Sequence, residues 1–399
     1  MTLASTSHLQ DPWQVPFVSM DEVLAQPGCC IVDLRSPGEF AIDHLPGAHS
    51  VPLFDDAERA LVGTLYNRHS SEEAFARGIL IVVQNISALV QRIAQVSGRD
   101  ARASDLEARV RAMAQGGLAG MQKELQPVSV AQISESTLVL HCWRGGMRSS
   151  SVLALLRALG WTNIVALEGG YKSYRTRVLK GLSAWSPPRS FVLRGGTGVG
   201  KTLVLREIER LRPGLTVDLE LAAGHRSSIL GMVGLKPRSQ KSFDSELFCR
   251  LRQPFGPCVV FEGESRKVGD VIIPAALWST LKAGTNIYIE ASDEYRVEVL
   301  MADYLNDDAS RAELRRQLPF IEERLGPRKW SGELVRLLDE KREPELVKIL
   351  LRDYYDPLYR HSETGRSYAL RLTTTDPITT AQDIIVWLES QTIEPGSIV

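Results

Sequence analysis

At 399 residues the chain is longer than one hydrophobic core usually serves, so two domains are expected. Its 44% hydrophobic and 24% charged content excludes a disordered or fibrous chain, and no apolar run approaches the roughly 20 residues of a bilayer span. The formal net charge of -1 excludes a global signature of nucleic-acid binding, so RNA contact would need a local basic patch.

The N-terminus, MTLASTSHLQDPWQVPF, has no basic start followed by an apolar stretch, so a cytoplasmic protein with no membrane partner is expected. Cys29, Cys30, Cys142, Cys249 and Cys258 form no CxxC pair and no metal-ligand spacing with histidine. So few thiols in so long a chain exclude a disulfide framework.

In chain order, CCIVDL (Cys29 to Leu34), TLVLHC (Thr137 to Cys142) and NIVALEG (Asn163 to Gly169) read as buried strands of a parallel sheet. SSSVLALLRALG (Ser149 to Gly160) predicts a helix ending at a glycine. Between Glu72 and Leu125, apolar residues at spacings of three and four, among them Ile79, Ile81, Val82, Ile86, Leu89, Val90 and Ile93, predict helices added to the sheet. The seam is GLSAWSPPRS, whose paired prolines interrupt the pattern. The expected division is a first domain over 14–182 with a helical insertion at about 72–136, a linker at 183–189, and a second domain over 190–399. There, SFVLRGGTGVGKTLVLREIERL predicts strand, glycine loop and helix, followed by strands at LTVDL, CVVFEG and NIYIE. A charged helical region from Asp293 to about His361, a strand (SYALRL) and a helix (TAQDIIVWLES) close the chain.

HCWRGGMRSS places Cys142 after an apolar strand and before a helix, where loop N–H groups and the helix N-terminus stabilise a thiolate. Gly145 and Gly146 let the loop curl, and Arg144 and Arg148 add positive charge. Trp143, Met147 and Ser149 complete the active-site loop. The alternative, a buried structural cysteine, fits Cys29, Cys30, Cys249 and Cys258 better than Cys142. IVDLRSPGEFAIDHLPGAHSVPL and VALEGGYKSYR resemble the rhodanese family, with Tyr174 near its aromatic position. That resemblance implies that Asp33 and Arg35 are structural. His141, Cys142 and Arg148 also meet the HCx5R spacing of cysteine phosphatases, a loop wide enough for a tetrahedral group such as selenophosphate.

GGTGVGKT (Gly195, Gly196, Thr197, Gly198, Val199, Gly200, Lys201, Thr202) fits the phosphate-loop pattern in its proper strand–loop–helix setting. Its N–H groups form an anion nest, Lys201 reaches the terminal phosphate, and Thr202 is placed to bind Mg²⁺ if a metal is used. CVVFEGESRK ends a strand in Glu262 and Glu264, candidates for a metal ligand or an acid/base. Arg226, Arg238, Arg266 and Lys267, with Lys236, Lys241, Arg250 and Arg252, form a local basic excess that is the candidate contact for diphosphate or RNA. GPRKW (Gly326 to Trp330) offers a cation beside an aromatic ring, for a base or for packing.

Taken together these strings resemble the tRNA 2-selenouridine synthase family over nearly the whole chain. They include CWRGGMRS, EGGYKSYR, GGTGVGKT, DLE (Asp218 to Glu220), HRSS (His225 to Ser228), GESR (Gly263 to Arg266) and YYDPLY (Tyr354 to Tyr359). The family's DLEGLAxHRGSSFG is here DLELAAGHRSSILG, and its EDESR is FEGESR. The implied fold is α/β, a rhodanese-like parallel-sheet domain followed by a P-loop NTPase-like domain with a helical C-terminal part. The implied substrate is the anticodon region of tRNA bearing wobble 2-thiouridine. Its sulfur would be geranylated from geranyl diphosphate, then replaced by selenium from selenophosphate, carried as a Cys142 selenosulfide. No tightly bound cofactor is expected. The rival readings are an ATP-dependent kinase or ATPase with an appended sulfurtransferase or Cx5R phosphatase-like domain, and a non-enzymatic redox or phosphate sensor.

Overall fold

Strands that are apolar on both faces must be covered on both sides, and this requirement shapes each half of the molecule. The computed structural model describes residues 11–101, 104–129, 132–187, 189–358 and 365–392. The chain divides into two compact units, Met1–Leu179 and Lys180–Val399. Tyr359, the last residue of the YYDPLY string, and Pro188 of the seam lie outside the described residues.

The first unit holds β1 (Gln14–Val18), β2 (Cys30–Asp33), β3 (Ala48–Ser50), β4 (Gln126–Ser129), β5 (Leu138–His141) and β6 (Ile164–Leu167). They form one sheet in the order β3-β2-β5-β6-β1-β4, parallel throughout. β5 is central and every residue in it is buried. The helical insertion differs from the sequence expectation at both ends. Helices begin at Asp56 (Asp56–Arg68), and the 72–136 stretch also contains β4, which pairs with β1. Both were hard to read for the same reason. Asp56–Arg68 has no buried residue, and the proline-bearing QPVS of β4 is exposed along its whole length at the sheet edge.

The helix Ser71–Ser97 packs Ile81, Ile86, Leu89, Val90 and Ile93 into the core of the unit. By length and hydropathy it would also suffice to cross a membrane; in this structure these side chains pack in the core of the unit. Leu106–Met113 and Gly117–Glu124 complete the insertion.

The second unit holds β7 (Ser190–Arg194), β8 (Thr216–Val217), β9 (Val259–Glu262), β12 (Thr285–Glu290) and β13 (Leu370–Thr373) in a parallel sheet of order β13-β12-β7-β9-β8. A small antiparallel hairpin pairs β10 (Lys267–Val268) with β11 (Val271–Ile272). Helices Asp293–Tyr304, Asp308–Leu325, Glu333–Asp339 and Glu343–Ile349 build a separate helical core, followed by a π-helical turn over Leu350–Tyr355. The predicted linker begins late, because the helix Gly170–Ala184 continues past the seam's start to Ala184.

A buried cation ties the carboxyl end of the first sheet together. The Arg35 guanidinium, 1% exposed, donates from Nη2 to Asp33 at 2.6 Å and to the Asp43 carbonyl at 2.8 Å. It lies 3.7 Å over the Tyr171 ring, and Tyr171 donates its hydroxyl to Asp43 at 2.6 Å. Removing one partner of such a pair strands the other charge, at roughly 3–5 kcal/mol. Arg35→Ala is therefore expected to lower the thermal transition of the first unit by several degrees and to slow Cys142 alkylation, both readable on one purified variant.

Candidate active sites

Cys142 follows β5, the central strand, and precedes the helix Met147–Ala158, so its sulfur faces the first turn of that helix. It is 3% exposed, and its Sγ lies 3.4 Å from the Ser149 hydroxyl. Burial alone would push the thiol up. The Arg148 charge, the Ser149 hydroxyl and the backbone N–H groups of Ser149 and Arg144 outweigh burial and hold it below the ordinary thiol value. Cys29, Cys30 and Cys258 shift the other way because burial dominates, as suits inert core thiols.

The back of the loop is held by the residues after β6. Tyr171 N–H donates to the Cys142 carbonyl at 2.9 Å and Lys172 N–H to the Trp143 carbonyl at 3.0 Å. Only glycine fits at 170, where φ is +56° and a Cβ would stand 2.4 Å from the Cys142 carbonyl oxygen. Trp143 rests against Tyr171 with ring centroids 5.2 Å apart, and Arg144 is exposed at the rim.

Gly195 to Thr202 joins β7, the middle strand of the second sheet, to the helix Lys201–Leu211. Gly195 has φ +148°, and a Cβ there would stand 2.3 Å from the Ile289 carbonyl oxygen. Lys201 Nζ donates to the carbonyls of Gly195 and Gly196 at 3.0 and 3.2 Å, curled over its own loop. Arg296 braces the loop from outside: its Nε donates to the Thr197 carbonyl at 2.9 Å, and its guanidinium pairs with Asp293 and Asp356, each at 3.2 Å. This gives the YYDPLY string a physical role, since its aspartate holds the arginine that holds the phosphate loop.

Beside the loop stand three carboxylates, Glu220, Glu262 and Glu264, with oxygens within 4.8 Å of one another. The Thr202 hydroxyl donates to Glu262 Oε1 at 2.7 Å and lies 3.2 Å from Glu220 Oε2. Glu262 is 1% exposed, and its Oε2 has no hydrogen-bond partner among the described residues. Burial, with Asp218 and Glu264 nearby, pushes its carboxyl up to about 8 against the opposing pull of Lys201 and Thr202. Burial and the neighbouring carboxylates also push Glu220 well up. A buried acceptor with nothing to accept from, in an all-oxygen cluster, fits a hard divalent cation such as Mg²⁺. Glu220, Glu262, Glu264 and Thr202 would hold it.

The sequence reading missed Glu220 and Arg296 as site residues. Glu220 was visible only inside the DLE string, and Arg296 sits in a helix with no motif of its own.

The basic candidates differ in their surroundings. Arg226 donates to the Val233 carbonyl at 2.7 Å and to the Asp303 carbonyl at 3.2 Å, with its guanidinium 5.2 Å over Tyr304, and it lines the pocket that also holds Lys201, Thr202, Glu220 and Glu262. Arg238 pairs with Glu246, and Arg250 with Glu209 and the Thr216 carbonyl. Lys267 reaches Asp270 at 3.4 Å on the hairpin, and Arg266 is exposed beside it. A charge count along the sequence does not register these acceptors, of which Asp303, Glu209 and Thr216 come from distant segments. Trp330 of GPRKW is buried in the helical core with Lys329 Nζ 4.6 Å over its ring, so this pair packs.

Two outcomes follow from this geometry. The pH midpoint of Cys142 alkylation by iodoacetamide should fall below the roughly 8.5 of a free thiol, and Arg148→Ala should move it up. For Glu262, the unfolded carboxyl ionises above roughly 4.3 while the folded one stays protonated to about 8. Without metal, stability therefore falls as pH rises through that window and levels off above it. Glu262→Gln should raise the second unit's melting temperature at pH 8 by roughly a few degrees, with no gain at pH 4. Millimolar Mg²⁺ should stabilise the unaltered chain more than the variant.

The family model for the tRNA 2-selenouridine synthase AAA domain matches residues 188–393. A tRNA 2-selenouridine synthase of Azotobacter vinelandii is 30% identical over 366 residues, covering 84% of this chain and 88% of the relative. One of Cupriavidus pinatubonensis is 29% identical over 370 residues, covering 85% and 90% respectively. The solved N-terminal domain of a Clostridium difficile 630 protein described as ATP/GTP binding is 28% identical and covers 41% of this chain and 98% of its own, with a TM-score of 0.30, too low to bear on the fold. With a family model spanning the second unit and relatives aligned across both, the chain belongs to the tRNA 2-selenouridine synthase family.

Proposed function

We propose that this chain makes 2-selenouridine in tRNA in two steps, geranylation of the 2-thio sulfur from geranyl diphosphate and then replacement of the geranylthio group by selenium from selenophosphate. The observation that carries the reading is the pairing, in one chain, of an anion-holding thiol loop with a phosphate loop beside a carboxylate cluster.

In the first step the sulfur attacks C1 of the geranyl group. A C–S bond forms, the C–O bond breaks, diphosphate leaves with the electron pair, and the N3 proton of the base is released to water. Lys201 and the N–H groups of the glycine loop take up the charge that develops on the leaving group. Mg²⁺, when bound, supplies further charge neutralisation at the diphosphate oxygens.

In the second step selenium attacks C2 of the base. A C2–Se bond forms, the C2–S bond breaks, and geranylthiolate leaves and is protonated. The Se–P bond must then be cut. The Cys142 thiolate attacks phosphorus, an S–P bond forms, and the Se–P pair returns to selenium. Water then hydrolyses the phosphocysteine to inorganic phosphate. The selenosulfide role expected from the sequence does not balance, because a thiolate and selenium at −2 reach a selenosulfide only with a two-electron oxidant. Arg148, five residues beyond the nucleophile, suits the phosphoryl role instead.

Mass spectrometry of nucleosides from 2-thiouridine tRNA, incubated with geranyl diphosphate and selenophosphate, tests the reading. The unaltered chain should yield geranylthiouridine and selenouridine. Cys142→Ala should consume geranylthiouridine and accumulate the Se-phosphorylated base without selenouridine. Lys201→Ala should lose geranylation by on the order of 100-fold and regain selenouridine when given pre-geranylated tRNA. Unchanged tRNA alongside robust ATP hydrolysis would replace the proposal with the kinase or ATPase reading.

A further inference from the structure

The helices between β3 and β4 do more than cover the sheet. Together with the Cys142 loop they line an open cleft of about 840 Å³, within the roughly 300–1,000 Å³ range of small-molecule sites. Cys142, Arg144 and Arg148 line one part of it, and Arg59, Asn67, Glu72 and Gln122 of the helices add polar groups elsewhere. Away from the thiol the walls include Phe54, Phe75, Ile79, Val82, Leu118 and Met121.

The helix Ser71–Ser97 shows why this cavity is more than a packing gap. Its core-facing side chains, Ile81, Ile86, Leu89 and Ile93, are all buried. Phe75, Ile79 and Val82 form a second apolar stripe at the i, i+4, i+7 spacing, partly buried against the core and also lining the cleft. A helix that merely covers a sheet needs one apolar stripe and presents polar residues elsewhere. The part of this second stripe that faces the cleft would be further covered by an apolar group seated there.

We infer that this chamber holds the geranyl chain carried on the sulfur of the substrate base while C2 of that base faces Cys142. The inference rests on the two-step reading above and adds to it where the chain lies during selenium exchange. The wall of Phe54, Phe75, Ile79, Val82, Leu118 and Met121 suits an extended apolar chain whose polar head lies at the thiol.

Equilibrium dialysis of the full chain against S-methyl-, S-prenyl- and S-geranyl-2-thiouridine nucleosides tests this. Binding should tighten with chain length, the geranyl form at least tenfold over the methyl form. Val82→Trp should remove most of that advantage while leaving S-methyl binding within about twofold, and Leu118→Phe serves where the first variant fails to fold. No length preference in the unaltered chain, or equal weakening for all three nucleosides, overturns the chamber. The product assay fails separately: length-dependent binding without any geranylthiouridine formed keeps the chamber and removes the two-step reading.

Discussion

A single buried guanidinium organises the first site. Arg35 reaches Asp33 at the end of β2, the Asp43 carbonyl and the face of Tyr171, and Tyr171 in turn closes on the Cys142 carbonyl. The loop's own N–H groups are thereby left to face the sulfur. The lowered thiol is the end of that chain of contacts: a cation that never touches Cys142 fixes the backbone that does. Its cost is high, since a fully buried charge is stable only with every donor engaged.

The two units reach anion-handling sites by the same route and then diverge in charge. Each places a reactive loop after a central parallel strand, where N–H groups of loop and helix converge. In the first unit arginines surround the loop, and the result is a stabilised thiolate. In the second, three carboxylates crowd a lysine, and the result is acids that stay protonated unless a cation joins them. The same backbone device thus sits in a cationic setting in one case and an acidic one in the other.

Both loops, Cys142 and Gly195 to Thr202, were legible because their chemistry is written in contiguous residues with glycines at forced positions. Every strand of the second sheet was legible for a similar reason, as an apolar run. The rest depended on partners distant in sequence. Glu220 joins Glu262 only after β8 and β9 pair, and Arg296 becomes a brace only when Asp356 arrives from 60 residues on. In the basic stretch, Arg226, Arg238 and Arg250 each meet an acceptor that a charge count along the sequence does not register. The insertion helices carried a clear periodicity, but its second apolar stripe acquires meaning only beside the Cys142 loop.

The π-helical turn at Leu350–Tyr355 has a consequence for which changes of length the second unit tolerates. Such turns hold one residue more than an α-helical turn, and each α-helical residue rotates the chain by about 100°. Excising a single residue there would restore regular winding and swing Asp356 roughly a quarter turn off Arg296. The phosphate loop would lose its outer brace through a deletion in a segment that never approaches a phosphate. The length of this stretch thus sets where Asp356 stands and, through Arg296, how the phosphate loop is held.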